Sequence, residues 1–135
     1  MKRIVVQLSQ AIKQKETVVL DDPIIGRAVF EISDIMYIEG CGHFVRYHIN
    51  NRSAIFQTRA KLGDLEEKYK DADFIRIQKK YLVNLRYVLN IDMSNNRVIM
   101  KQGEKLSLSR SIKKDVDKRF NEYLRMMISF AAEYN

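Results

Sequence analysis

The chain has 135 residues, 24 Lys plus Arg against 17 Asp plus Glu for a formal charge of +7, one cysteine and no tryptophan. Such a length suits one domain that buries roughly two thirds of its unfolded surface, and the lone Cys41 excludes an internal disulfide and fits a reducing compartment. No apolar run approaches the roughly 20 residues of a membrane span and the first residues lack a secretory-signal pattern, so a cytoplasmic protein with no membrane contact is expected.

The excess charge is confined to one stretch. From residue 76 to 114 there are ten basic side chains, Arg76, Lys79, Lys80, Arg86, Arg97, Lys101, Lys105, Arg110, Lys113 and Lys114, against Asp92 and Glu104. The rest of the chain nets −1. Concentrated charge of this kind points to a polyanionic partner, with an ordinary solvated basic face as the alternative.

In chain order, residues 3–14 carry Ile4, Val5, Leu8, Ala11 and Ile12 at helical spacing and predict a short amphipathic helix resembling the end of a linker. Asp21-Asp22-Pro23 stops any helix. Short β-rich runs follow, and strands are predicted over 17–20, 24–32, 35–39, 43–49, 53–57, 74–78, 87–92, 97–101 and 104–107. Asn50-Asn51, Ser94-Asn95-Asn96 and Gln102-Gly103 supply residues that tolerate positive φ in hairpin turns. Two further helices are predicted. One spans Ala60 to Lys70, with Leu62, Leu65 and Tyr69 on one face. The other starts at Ser109 or Ser111 as cap and carries the stripe Ile112, Val116, Phe120, Leu124, Met127 and Ala131.

Enzyme chemistry finds no support, so no catalytic residue and no cofactor is assigned. There is no glycine-rich phosphate loop, no paired-cysteine metal spacing and no histidine pair at helical spacing. Cys41 and His43 in "EGCGHF" lie close together, but nothing nominates the third group that would orient such a pair. If residues 43–49 form one strand, His43 and His48 face opposite sides and share no metal.

Binding chemistry is better supported. "FIRIQKKYLVNL", residues 74–85, alternates until Lys79-Lys80, then enters the apolar run Tyr81-Leu82-Val83, so the chain turns at the two lysines and both ammonium groups project from an edge. In "EKLSLSRSIKKDV", residues 104–116, the chain passes from strand to helix at Ser109-Arg110-Ser111. An arginine at such a tip has the fork to grip guanine O6 and N7, whereas Lys113 and Lys114, one turn on, suit phosphates. With His43 after Gly40-Cys41-Gly42, three loop or junction sites emerge that a small β fold could bring to one surface.

The stretches "IMYIEGCGHFVRYHI", "FIRIQKKYLVNLRYVLNI" and "GEKLSLSRSIKKDV", in this order with "TRAKLGDLEEKY" between the first two, resemble the LytTR-type DNA-binding domain of bacterial response regulators over roughly residues 17–120. The resemblance implies a mostly β fold of small antiparallel sheets in an elongated arrangement, with a short middle helix and a long C-terminal helix. Its loops would enter successive major grooves of duplex DNA. Carried over by position, it implies base contacts from His43, Lys79 and Arg110 and phosphate contacts at or beside Lys80, Ser107 and Lys113; Ser109 and Lys114 join the phosphate set from the helix start. Where the family often has His and Ser, this chain has Gln78 and Lys80, and Lys79 stands where Asn or Arg is commoner. The resemblance also implies a homodimer on paired direct repeats, with 121–135 as a helical extension, and either a receiver domain beyond this chain joined through residues 1–16 or a small regulator with no receiver. Two other readings are a single-stranded nucleic-acid or RNA module stacking bases on Tyr37, Phe44, Tyr47 and Tyr81, and a protein-interaction module using the last helix.

Overall fold

The computed structural model describes residues 16–134. The helix predicted over 3–14 lies outside the described residues. Strands β1 (Thr17–Asp22), β2 (Gly26–Glu31), β3 (Ile35–Cys41), β4 (Phe44–Ile49) and β5 (Phe56–Arg59) precede helix α1 (Leu62–Lys68). Then come β6 (Phe74–Gln78), β7 (Tyr81–Asn84), β8 (Val88–Asp92), β9 (Arg97–Met100), β10 (Lys105–Ser107) and the long α2 (Lys113–Tyr134). Single 3-10 turns lie at Ile32–Asp34, Lys70–Ala72 and Leu85–Tyr87.

The strands form a five-stranded sheet in the order β5-β4-β3-β7-β6, a three-stranded sheet β10-β9-β8 and the hairpin β1-β2, all with antiparallel pairing. Both faces of the central sheet are covered. Alternation sends Ile38, Val45, Tyr47 and Leu82 to one core, shared with Val18 and Leu20 of β1 and with Leu62, Leu65 and Tyr69 of and beside α1. It sends Tyr37, Ile77 and Val83 to a second core, with Val98, Met100 and Leu106 of the small sheet and Val116 and Phe120 of α2.

This double burial explains Tyr81-Leu82-Val83. A strand with both faces covered reads as a continuous apolar run and not as an alternating one. The run is β7, a strand absent from the nine predicted, and it lies inside the sheet between β3 and β6.

Other boundaries moved for local reasons. The strand expected over 24–32 begins only at Gly26, because the Asp22 carboxylate accepts hydrogen bonds from the N–H groups of Ile24 (2.7 Å) and Ile25 (2.9 Å) and curls the chain into a turn. Its other oxygen accepts from Gln57 N–H at 2.7 Å, tying the β1-β2 hairpin to β5. These three N–H groups, Gln57 foremost, hold the Asp22 carboxyl below its ordinary range. The strand expected over 53–57 is β5, displaced to Phe56–Arg59, and the helix expected over 60–70 contracts to Leu62–Lys68. Asp73, in the left-handed region at φ 62°, redirects the chain into β6.

On α2 the predicted stripe is buried only in its first half. Val116 and Phe120 are buried, whereas Leu124 is 38% exposed, Met127 is half-buried and Ala131 is exposed; beside them Ile128 is 69% exposed. The hydroxyls of Ser109 and Ser111 lie 3.0 Å from each other at the approach to this helix. Between the two cores, fully buried Asn84 donates from Nδ2 to Ile35 O (3.0 Å) and accepts from Arg86 N–H (3.1 Å), stitching β7 to β3 and to the 3-10 turn that follows. Among the described residues no helix is long and apolar enough to cross a membrane.

Candidate nucleic-acid interface

Antiparallel pairing decides which loops share an end of the central sheet. β3 and β4 are joined by Gly42-His43, with Cys41 opposite Phe44 as the last pair. Gly42 has φ 63°, the sign needed at the first central position of a type II′ hairpin turn. β6 and β7 are joined by Lys79-Lys80, with Gln78 opposite Tyr81. Because β3 also pairs with β7, Glu39 opposite Tyr81, the two tips leave the sheet side by side. Gly40 N–H donates to Lys80 O at 2.8 Å and fastens one tip to the other.

The third site joins the same end from the far edge. Beyond β10, Ser109 N–H donates to Ile77 O at 2.9 Å, so the segment leading to Arg110 lies along β6. His43, Lys79, Lys80, Ser107, Arg110 and Lys114 are exposed there, with Ser109 half-buried. At about 4.8 Å per strand, the row from the His43 tip through Lys79-Lys80 to the Ser109-Arg110 segment spans roughly 17 Å. The structure thus brings all three predicted sites into one row. The strand predicted over 43–49 starts at Phe44, which leaves His43 in the turn.

Lys113 is placed differently from its neighbours. It is half-buried, and its ammonium donates to Met93 O (3.1 Å) and Asn96 Oδ1 (3.0 Å), pinning the β8-β9 turn to the start of α2. Two of its three N–H bonds thus serve the fold.

Four residues that sequence reasoning does not nominate shape the row. Arg59 faces Phe44 across the β4-β5 ladder, exposed, with its guanidinium 6.0 Å from the Phe44 ring centroid, directly beside the His43 tip. Lys61, exposed, follows at the entry to α1. Neither has an ion-pair partner among the described residues, unlike Arg27 with Asp21, Lys70 with Glu67, Arg76 with Glu66 and Arg97 with Asp92. Their position beside His43 follows from the β4-β5 register, which the basic stretch 76–114 does not announce.

Arg76 and Gln78 act on the tip itself. The Arg76 guanidinium donates to Gln78 O (3.2 Å) and to Lys79 O, and is held by Glu66 Oε1 of α1 at 3.1 Å. It sits where the β6-β7 register shifts between Arg76 and Gln78. The Gln78 side chain accepts from Lys80 N–H (3.3 Å) and donates to Ser107 Oγ. Ser107 accepts that bond, so its own hydroxyl proton is left for another acceptor.

The tyrosines proposed as base platforms are disposed otherwise. Tyr37 and Tyr47 are buried at 7% and 3% exposure and cannot stack a base. Tyr37 instead stacks on His48 at 4.0 Å between centroids, and burial pushes its hydroxyl up to about 12. Burial likewise lowers the His48 imidazole, against the pull of Glu39 at 3.3 Å. Tyr81 lies edge-on to Tyr37 at 6.1 Å and carries the Lys80 ammonium over its ring at 5.2 Å.

The described residues thus form a β-sheet module with basic and hydroxyl-bearing tips along one end of its central sheet. The model of the LytTr DNA-binding domain family matches residues 26–121. The sensory transduction protein LytT of Bacillus subtilis (strain 168) is 37% identical over 57 residues, which are 40% of this chain and 24% of LytT. A LytTr DNA-binding domain from Bacillus cereus shares the fold with a TM-score of 0.66 at 21% identity, over 78% of this chain and 96% of that domain. The chain belongs to the LytTr DNA-binding domain family.

Proposed function

We propose that this chain reads specific duplex DNA for a bacterial transcriptional regulator, with the His43 and Arg110 tips entering successive major grooves. The observation that carries this reading is the single row of three exposed tips fastened by the Gly40 to Lys80 and Ser109 to Ile77 backbone bonds. Successive major grooves on one face of B-DNA are separated by the phosphates that line a minor groove about 6 Å wide. A row of roughly 17 Å, lengthened by the side chains, straddles that interval. The middle tip then faces the phosphates, where Lys80 and, beside any base contact, Lys79 supply point charges. Ser107, Ser109 and Lys114 hold the backbone beside Arg110, with the remaining N–H of Lys113. Arg59 and Lys61 hold it beyond His43.

In this reading residues 17–120 form the DNA-binding unit. Residues 1–16 link it to a receiver domain, as in a response regulator, and 121–135 extend it. Two copies occupy paired direct repeats, and the exposed Leu124 and Ile128 of α2 offer an apolar surface for their association. Selection from a random duplex pool at roughly physiological salt tests the proposal, and recurring spaced repeats are the expected outcome. Arg110→Ala should then cost about 1–3 kcal/mol on the selected site and relax preference at one base position. Equal losses on selected and random duplexes would remove Arg110 from the base-reading set. Tighter binding to single strands than to duplex would replace the reading itself.

A further inference from the structure

We infer that Gln78 locks the second and third tips into one reading unit, as a positioning residue that neither touches a base nor adds charge. This rests on the duplex-reading function proposed above. Gln78 is the last residue of β6, and its side chain bonds to both tips. Its Oε1 accepts from Lys80 N–H at 3.3 Å, and its Nε2 donates to the hydroxyl of Ser107, two residues before the Ser109 N–H that bonds Ile77 O. From the other side, Arg76 holds the carbonyls of Gln78 and Lys79, itself fixed by Glu66. The Lys79-Lys80 turn is therefore clamped on its carbonyl side by α1 and on its N–H side by Gln78, which carries the clamp across to β10.

The chemistry calls for a carboxamide. One group must accept from a backbone N–H and donate to a hydroxyl at the same time, leaving the Ser107 proton for a phosphate. A glutamate accepts at both ends, so it takes the Ser107 proton and sets a negative charge beside DNA. A leucine of similar size makes neither bond. Gln78 lies at the rim of the sheet, not in either core, so neither change removes core packing.

The test uses Gln78→Leu in the full chain, with hydrogen exchange of the free protein and double-mutant cycles on the selected duplex. Exchange at Lys80 N–H should accelerate about tenfold on loss of its acceptor, while Gly40 N–H, bonded to Lys80 O, stays protected. With Gln78 present, Lys79→Ala and Arg110→Ala should be coupled by about three- to tenfold in affinity; in Gln78→Leu their effects should simply multiply. The salt slope should be unchanged, since no charge is removed. Gln78→Glu should lower affinity for selected and random duplexes alike. An identical cycle in both backgrounds overturns the coupling role. So does unchanged Lys80 exchange. If the unaltered chain shows no preference among duplexes, the duplex-reading function fails instead, a result separable from the exchange measurement.

Discussion

Replacing Asp73 with Asn should stabilise the protein at neutral and alkaline pH and have almost no effect at pH 4. Asp73 is buried at 7% exposure beside a groove of about 220 Å³ lined by Leu85, Arg119, Glu122, Tyr123 and Met126. Burial raises its carboxyl from 3.8 to about 6, with Arg119 pulling the other way. A raised carboxyl means that the folded state holds the proton more tightly than the unfolded chain does. Its favourable contribution is therefore complete below 3.8 and lost as pH rises through about 6. A shift of about two units sets a ceiling of roughly 3 kcal/mol, and solvent in the groove and compensating interactions reduce the expected gain to about 1–2 kcal/mol. Asn cannot ionise, and it tolerates the left-handed backbone at φ 62°. Thermal melts of both proteins at pH 4 and pH 8 should show no difference at the first and about 4–8 °C at the second. A difference of the same size at both pH values, or a loss at pH 8, would refute desolvation of the carboxylate as the cause.

Three further outcomes are expected. Arg59→Ala with Lys61→Ala should lower the slope of log affinity against log salt by nearly two, about 0.9 for each phosphate no longer neutralised, with the ratio of specific to random binding unchanged; filter binding over a salt series reads both. Lys114→Ala should reduce that slope by about 0.9 at unchanged melting temperature, whereas Lys113→Ala should lower the melting temperature as well, because its ammonium holds Met93 O and Asn96 Oδ1. Asn84→Ala should cost about 2–4 kcal/mol in urea unfolding, since it strands the buried Ile35 carbonyl and removes the acceptor of Arg86 N–H.

What the sequence shows, and what it hides, follows from where the information lies. Turn residues and charges are local, so a few neighbouring residues suffice to place the Lys79-Lys80 turn, the His43 loop and the Arg110 junction on loops. β7 escapes such a reading because its alternation is erased when both faces are packed, with Leu82 in one core and Val83 in the other. Arg76 reads as the solvent-facing member of an alternating strand. Its partners are main-chain carbonyls at a register shift and a carboxylate on α1, none of which a residue pattern displays. Arg59 and Lys61 sit outside the basic stretch, and only the pairing of Arg59 with Phe44 brings them beside His43. Lys113 and Lys114 look equivalent in sequence, yet the first is half-buried with its ammonium tethered to the fold, and the second is exposed.

The two ways of fastening the tips set different rules for divergence. The His43 tip is held to its neighbour through main chain, Gly40 N–H to Lys80 O. A descendant could therefore exchange the residue at 43 and adopt a new target in one mutational step without disturbing the other two tips. The second and third tips share a side-chain link through positions 78 and 107. On the proposed reading, drift in their preference would have to pass through compensated pairs, so the first tip would be free to vary alone while the other two change in concert.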